Sequence, residues 1–177
     1  TADLVCHGPT SPLVAKEYAE LMTKRHGSKV VDIQVRHKKN GEWTPPYLKV
    51  QYADGKCSMK PFTATEYAFA FRVLAQNRCY SCGFKGGNHF SDLTIGDYWG
   101  VDKSDEGFNA HGVSVAIVHT DRGVQALKSL QSFNLFDISY EKAIKGNPYY
   151  ETARSKDPRH DRFEELLKTK GLKAACD

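Results

Sequence analysis

At 177 residues the chain can bury one sizeable core and is short for two. Hydrophobic residues at 40% and charged residues at 26% exclude a disordered or low-complexity chain, and an apolar run such as Val115–Val118 is far too short to span a bilayer. A net charge of +4 is only mildly basic, so nucleic acid is an unlikely class of partner; an odd count of five cysteines argues against a complete disulfide framework and points to a reducing compartment, the cytoplasm.

No signal peptide is visible. The opening Thr-Ala-Asp-Leu-Val-Cys reads as a short apolar strand already under way, so the expectation is the downstream piece of a longer polypeptide. A loop from Cys6 to Ser11 follows. Ser11 suits a helix N-cap and Pro12 the first helical position. The helix carries Val14, Tyr18, Leu21 and Met22 on one face and ends at Gly27. Cys6 thus sits between a strand and a helix start, a common place for a ligand, although a small buried hydrophobe is the plainer reading. Gly8–Ser11 could hold a phosphate of a nucleotide cofactor against the helix's free N–H groups; otherwise Ser11 and Pro12 simply start the helix.

Three strands in a meander are expected next. Val31, Ile33 and Val35 alternate with polar residues, as do Leu48, Val50 and Tyr52, and Asp54-Gly55 turns the chain into a third strand with Cys57 and Met59 on one face. Cys57 reads as sheet core rather than ligand. The basic run Arg36–Lys39, ahead of the Asn40-Gly41 turn, is a solvated hairpin tip or a docking surface for an acidic partner. Thr63-Ala-Thr-Glu66 has the form of a capping box, before a helix whose inner face is Tyr67, Ala70, Phe71 and Leu74.

That helix delivers the chain to Cys79. Asp92–Asp97 is a short strand, and its two end aspartates have opposite parity, which disfavours a paired-carboxylate acid/base site. Tyr98 and Trp99 read as core that could also face a planar cofactor. Val113–Val118 reads as a strand buried on both faces, and Thr120-Asp121 caps a helix with Val124, Leu127 and Leu130. Phe136–Tyr140 is expected to be a last strand. Asp157-Pro158 then opens a final helix with Phe163, Leu166 and Leu167 inward, Gly171 beyond its end, and a frayed tail that makes Cys176 a poor ligand. The fold expected is α+β, a single domain with a mixed, largely antiparallel sheet and about four packed helices.

Chemistry concentrates between Arg78 and Trp99. Cys79 and Cys82 are separated by two residues, the spacing at which a tight turn aims both sulfurs at one metal or cluster, and Gly83, Gly86 and Gly87 let the backbone fold closely around it. A thioredoxin-type redox pair wants a helix N-terminus after a strand, whereas this pair follows a helix. A zinc knuckle wants a second cysteine pair or two histidines at knuckle spacing, and none of the seven histidines qualifies. Three thiols, Cys6, Cys79 and Cys82, suit an iron–sulfur cluster with one ligand missing; structural zinc and no metal at all stay open on these residues.

Cys79-Tyr-Ser-Cys-Gly-Phe-Lys-Gly86, then Ser91-Asp-Leu-Thr-Ile-Gly-Asp-Tyr-Trp-Gly100, then Thr120-Asp-Arg-Gly123, with Asp3–Gly8 and Ser11-Pro12 at the opening, together resemble the C-terminal domain of the coenzyme F-420 hydrogenase/dehydrogenase beta-subunit family. The resemblance runs from about Asp3 to Leu130. It implies an iron–sulfur flavoprotein oxidoreductase that relays electrons between a 4Fe-4S cluster, FAD and a partner, which in archaea is coenzyme F-420. It implies that Cys6, Cys79 and Cys82 are cluster ligands, with the fourth cysteine in a Gly-Thr-Pro-Cys segment of the upstream domain. The expected partners are that upstream domain and a redox subunit or ferredoxin-like carrier. No side chain is expected to be catalytic in its own right. Lys85 and Arg78 would raise the potential of an anionic cluster, His7 would donate to a thiolate, and Ser11 would serve the cofactor phosphate. The competing reading is a non-catalytic binding module with structural zinc, gripping a polyanion with its basic hairpin.

Overall fold

The computed structural model describes residues 1–177. In chain order its elements are β1 (Ala2–Leu4), α1 (Pro12–His26), β2 (Val30–His37), β3 (Tyr47–Tyr52), β4 (Cys57–Pro61), α2 (Glu66–Val73), β5 (Leu93–Asp97), β6 (Ser114–Val118), α3 (Asp121–Lys128), α4 (Tyr140–Gly146) and α5 (His160–Cys176). This is the α+β class expected. The strands divide between two three-stranded sheets, where one was expected, and five α-helices accompany them, in keeping with the expected about four. The domain's contacts fall into two compact units, Thr1–His7 with Ser81–Arg154, and Gly8–Tyr80 with Ser155–Asp177.

In the first unit the sheet order is β1-β5-β6, with β1 parallel and β6 antiparallel to β5. Its small core holds Tyr98, Val115 and Ala143, while Trp99 remains 49% exposed. The strand around Val115 is not buried on both faces as expected. It lies at the sheet's edge and leaves Ser114 and Ala116 exposed. Phe136–Tyr140 forms no strand. The Ser139 hydroxyl accepts from Lys142 N at 3.2 Å and caps α4, so a local cap prevails over the strand pattern.

The second unit contains the main core. Ser11 is extended at φ −64°, ψ 138°, its side chain accepts from Leu13 N, and Gly27 closes α1 in the left-handed region. β3 is the centre of the antiparallel β2-β3-β4 meander, and Leu48, Val50 and Tyr52 are buried against α1, α2 and α5. Each such aliphatic side chain removed from water contributes roughly 1.5–3 kcal/mol. Cys57 is exposed, contrary to expectation. The register pairs it with Gln51 and Met59 with Lys49, which is the wet face of the sheet. The capping residue of α2 is Thr65, not Thr63: its Oγ1 accepts from Ala68 N at 3.1 Å, and Glu66 pairs with Arg25 Nη2 at 2.6 Å instead of closing a capping box. Of the expected inner face, Ala70 and Leu74 are buried and Tyr67 packs against the core, and Ala68 and Val73 are buried with them.

Helical geometry ends ahead of Gly171, as expected: that residue has φ 80°, ψ 174° and kinks the chain, which then resumes helix and buries Leu172 and Ala175. The expected frayed tail is therefore helix, and Cys176 is half-buried with its thiol near Glu66 O at 3.8 Å.

Candidate functional site

In the second unit, Thr10 forms a β-bridge with Ala75, its hydroxyl donates to Leu74 O at 2.7 Å, and Gln76 N donates to Pro9 O at 3.3 Å. These bonds hold the segment after Cys6 against the end of α2. Cys79 lies on the short 3-10 turn Asn77–Ser81 that follows, with its N–H on Gln76 O at 2.8 Å. Gly8, at φ 96°, abuts the Cys79 thiol: a Cβ there would stand 2.9 Å from Sγ. Only glycine combines that backbone conformation with so close an approach. Tyr80 stabilises the turn by exchanging two 3.2 Å bonds with the Ala75 backbone and meeting the buried His160 ring edge-on. Ser11, expected to serve a phosphate, is engaged as the cap of α1.

In the first unit, Val5 N continues the β1 pairing onto Ile95 O at 2.8 Å and leads into Cys6. Lys85, three residues after Cys82, donates to Cys6 O at 2.8 Å and to Tyr149 O at 2.5 Å. The glycine turn is held by Gly86 N on Tyr150 O at 3.2 Å, with Gly86 and Gly87 both at positive φ. His7 meets the Tyr149 ring edge-on at 4.7 Å, and Arg154, itself buried, donates to its Nδ1 at 3.3 Å. An arginine can only donate, so His7 Nδ1 accepts and the neutral ring carries its hydrogen on Nε2.

All five cysteines are free. Cys6 is exposed, and Cys79 and Cys82 are partly so, as reactive thiols are. In the first unit Cys6 and Cys82 have the cationic Lys85 on the Cys6 peptide, and in the second Cys79 has a glycine where its Sγ is most crowded; each thiol is the soft donor that an anionic iron–sulfur centre takes.

Reading along the sequence overlooks a further cluster in the first unit. Asp3 and Thr94 are direct partners in the β1/β5 register, and His119 follows β6, two residues beyond Ile117, Thr94's other partner. The period of two therefore puts all three on one face. His89 joins them from the loop before β5. Its Nδ1 is 3.0 Å from Asp3 Oδ2 and 3.3 Å from Thr94 Oγ1, and that hydroxyl is 2.8 Å from His119 Nε2. Burial opposes ionisation of Asp3, but hydrogen bonds from Thr94, His89 and Ser91 outweigh it and hold the carboxyl below its ordinary value. No local spacing rule connects these residues. Only strand register does.

The chain is a two-sheet α+β protein with three accessible thiols, Cys6, Cys79 and Cys82. The family model described as the C terminus of the coenzyme F420 hydrogenase/dehydrogenase beta subunit matches residues 1–142, and the chain belongs to that family. Comparisons with curated proteins and with solved structures give no match. No helix is long and apolar enough to cross a membrane.

Proposed function

We propose that this chain is the C-terminal domain of an iron–sulfur flavoprotein oxidoreductase, in which Cys6, Cys79 and Cys82 hold a 4Fe-4S cluster. The family match carries the reading, and the ordered Cys6, Cys79-x-x-Cys82 set on accessible loops supports it. Cluster and FAD, when bound, supply one- and two-electron transfer, with coenzyme F-420 or another carrier as the partner. The fourth cluster ligand comes from an upstream domain of the same polypeptide, and the setting is the cytoplasm.

The chain's own residues place and bias that chemistry. Lys85 ties the loop after Cys82 to the Cys6 peptide and brings a positive charge there, which favours the reduced, more anionic state. His7, held by Arg154 through Nδ1, presents an Nε2 hydrogen for a neighbouring sulfur.

Iron and acid-labile sulfide analysis tests this on protein made anaerobically together with its upstream region. Iron and sulfide in near-equal amounts are expected, with loss in Cys82→Ser. Stoichiometric zinc without sulfide would instead establish a structural knuckle and a binding module. In the iron-loaded protein, Lys85→Ala should lower the midpoint potential; an unchanged value removes Lys85 from the tuning role.

A further inference from the structure

The thiol chemistry makes no use of the cluster around Thr94. We propose that Asp3, His89 and His119 form a second, separate site, for one divalent transition-metal ion of the zinc class.

Two imidazoles and a carboxylate are the nitrogen and oxygen donors that such ions prefer. One nitrogen from each histidine and one Asp3 oxygen lie within 4.8 Å of one another. Donors around a tetrahedral zinc stand roughly 3.4 Å apart, so side-chain movements of about 1 Å close the site. The two rings are already oriented for it. Thr94, fully buried, meets His89 Nδ1 and His119 Nε2 through one hydroxyl, which turns both nitrogens toward the same place. His89 lies flat against Tyr150 at 4.4 Å and parallel to His119 at 5.2 Å, both at 5° between planes. Rings fixed in advance lose little freedom on binding.

Burial adds a second argument. The His89 side chain is only 4% exposed, and its Nε2 has no hydrogen-bond partner. The ring is thus held out of water with its Nδ1 facing the Asp3 carboxylate. Asp3 stays partly open, at 35%, which gives an ion an entry and leaves coordination positions for water.

Cobalt(II) is the probe, because thiolate and imidazole sites differ in its spectrum. The chain carrying Cys6→Ser, Cys79→Ser and Cys82→Ser should bind one equivalent, with visible d–d bands and no thiolate-to-cobalt charge-transfer band. In that background Asp3→Asn and His119→Gln should each weaken binding about 100-fold or more, and Thr94→Val about 10-fold or more. Absence of saturable binding in a parent with native far-UV circular dichroism overturns the proposal, as does binding that Asp3→Asn and His119→Gln leave within about twofold. The unsubstituted chain gives an independent reading by long-range 1H–15N spectra of its imidazoles. One ring nitrogen each of His89 and His119 should shift on addition of one equivalent of zinc(II), and unmoved resonances would end the idea.

Discussion

Lys85 and Cys176 show how far neighbours decide what a side chain can do. Lys85 spends its ammonium on two backbone carbonyls, Cys6 O and Tyr149 O, so it is a strut as well as a charge. Cys176 was expected at a loose end, yet the last turn of α5 holds it half-buried. Burial, helped by the nearby Glu66 and Asp177 carboxylates, pushes its thiol from near 9 up to about 11. With the folded value raised above the unfolded one, its contribution to stability is present at neutral pH and lost as pH rises from about 9 through about 11. At pH 8 this leaves about 100-fold less thiolate than an ordinary cysteine has. Iodoacetamide on metal-free protein, followed by peptide mass spectrometry, should therefore label the exposed Cys57 and Cys6 well ahead of Cys176.

At the scale of elements, α5 offers a case in which the usual helix rule reverses sign. Replacing glycine by alanine inside a helix ordinarily stabilises it by up to about 1 kcal/mol. Gly171 is at φ 80°, ψ 174°, a region essentially closed to other residues, and a Cβ there would stand 2.9 Å from Glu17 Oε2. Gly171→Ala should thus destabilise the chain by about 1–3 kcal/mol in urea unfolding. The same residue shows what could be read beforehand. Glycine after Phe163, Leu166 and Leu167 looked like a stop, because sequence reveals a break in helical geometry but not whether the chain turns back into helix. The meander, α1 with its Ser11 cap, and α3 were legible, since period-two alternation and caps are local signals. The turn after Cys82 was legible from its glycines, two of which, Gly86 and Gly87, have positive φ. Cys57 was misplaced because its face depends on pairing with Gln51 rather than on its own strand, and the Asp3, His89 and His119 cluster was overlooked for the same reason: cross-strand register fixes it.

For the molecule as a whole, the boundaries of the family match and of the core do not coincide. The match ends at residue 142, whereas Phe163, Leu167, Leu172 and Ala175 of α5 belong to the buried cluster of the second unit. Losing four such side chains costs on the order of 10 kcal/mol, comparable with the entire stability of a domain. A chain ended after Glu141 or Lys142 should lose the cooperative melt of that unit in circular dichroism, with α1 and α2 disordered in amide exchange. Retention of a cooperative transition would mean that the meander and the first two helices suffice.

Because the second unit is assembled from Gly8–Tyr80 and Ser155–Asp177, its interior is sealed by a stretch that is translated only after the whole of Ser81–Arg154. Until then the apolar faces of α1 and β3 have no permanent cover, and nascent chains stalled short of α5 should be ready clients for chaperones that hold exposed hydrophobic surface.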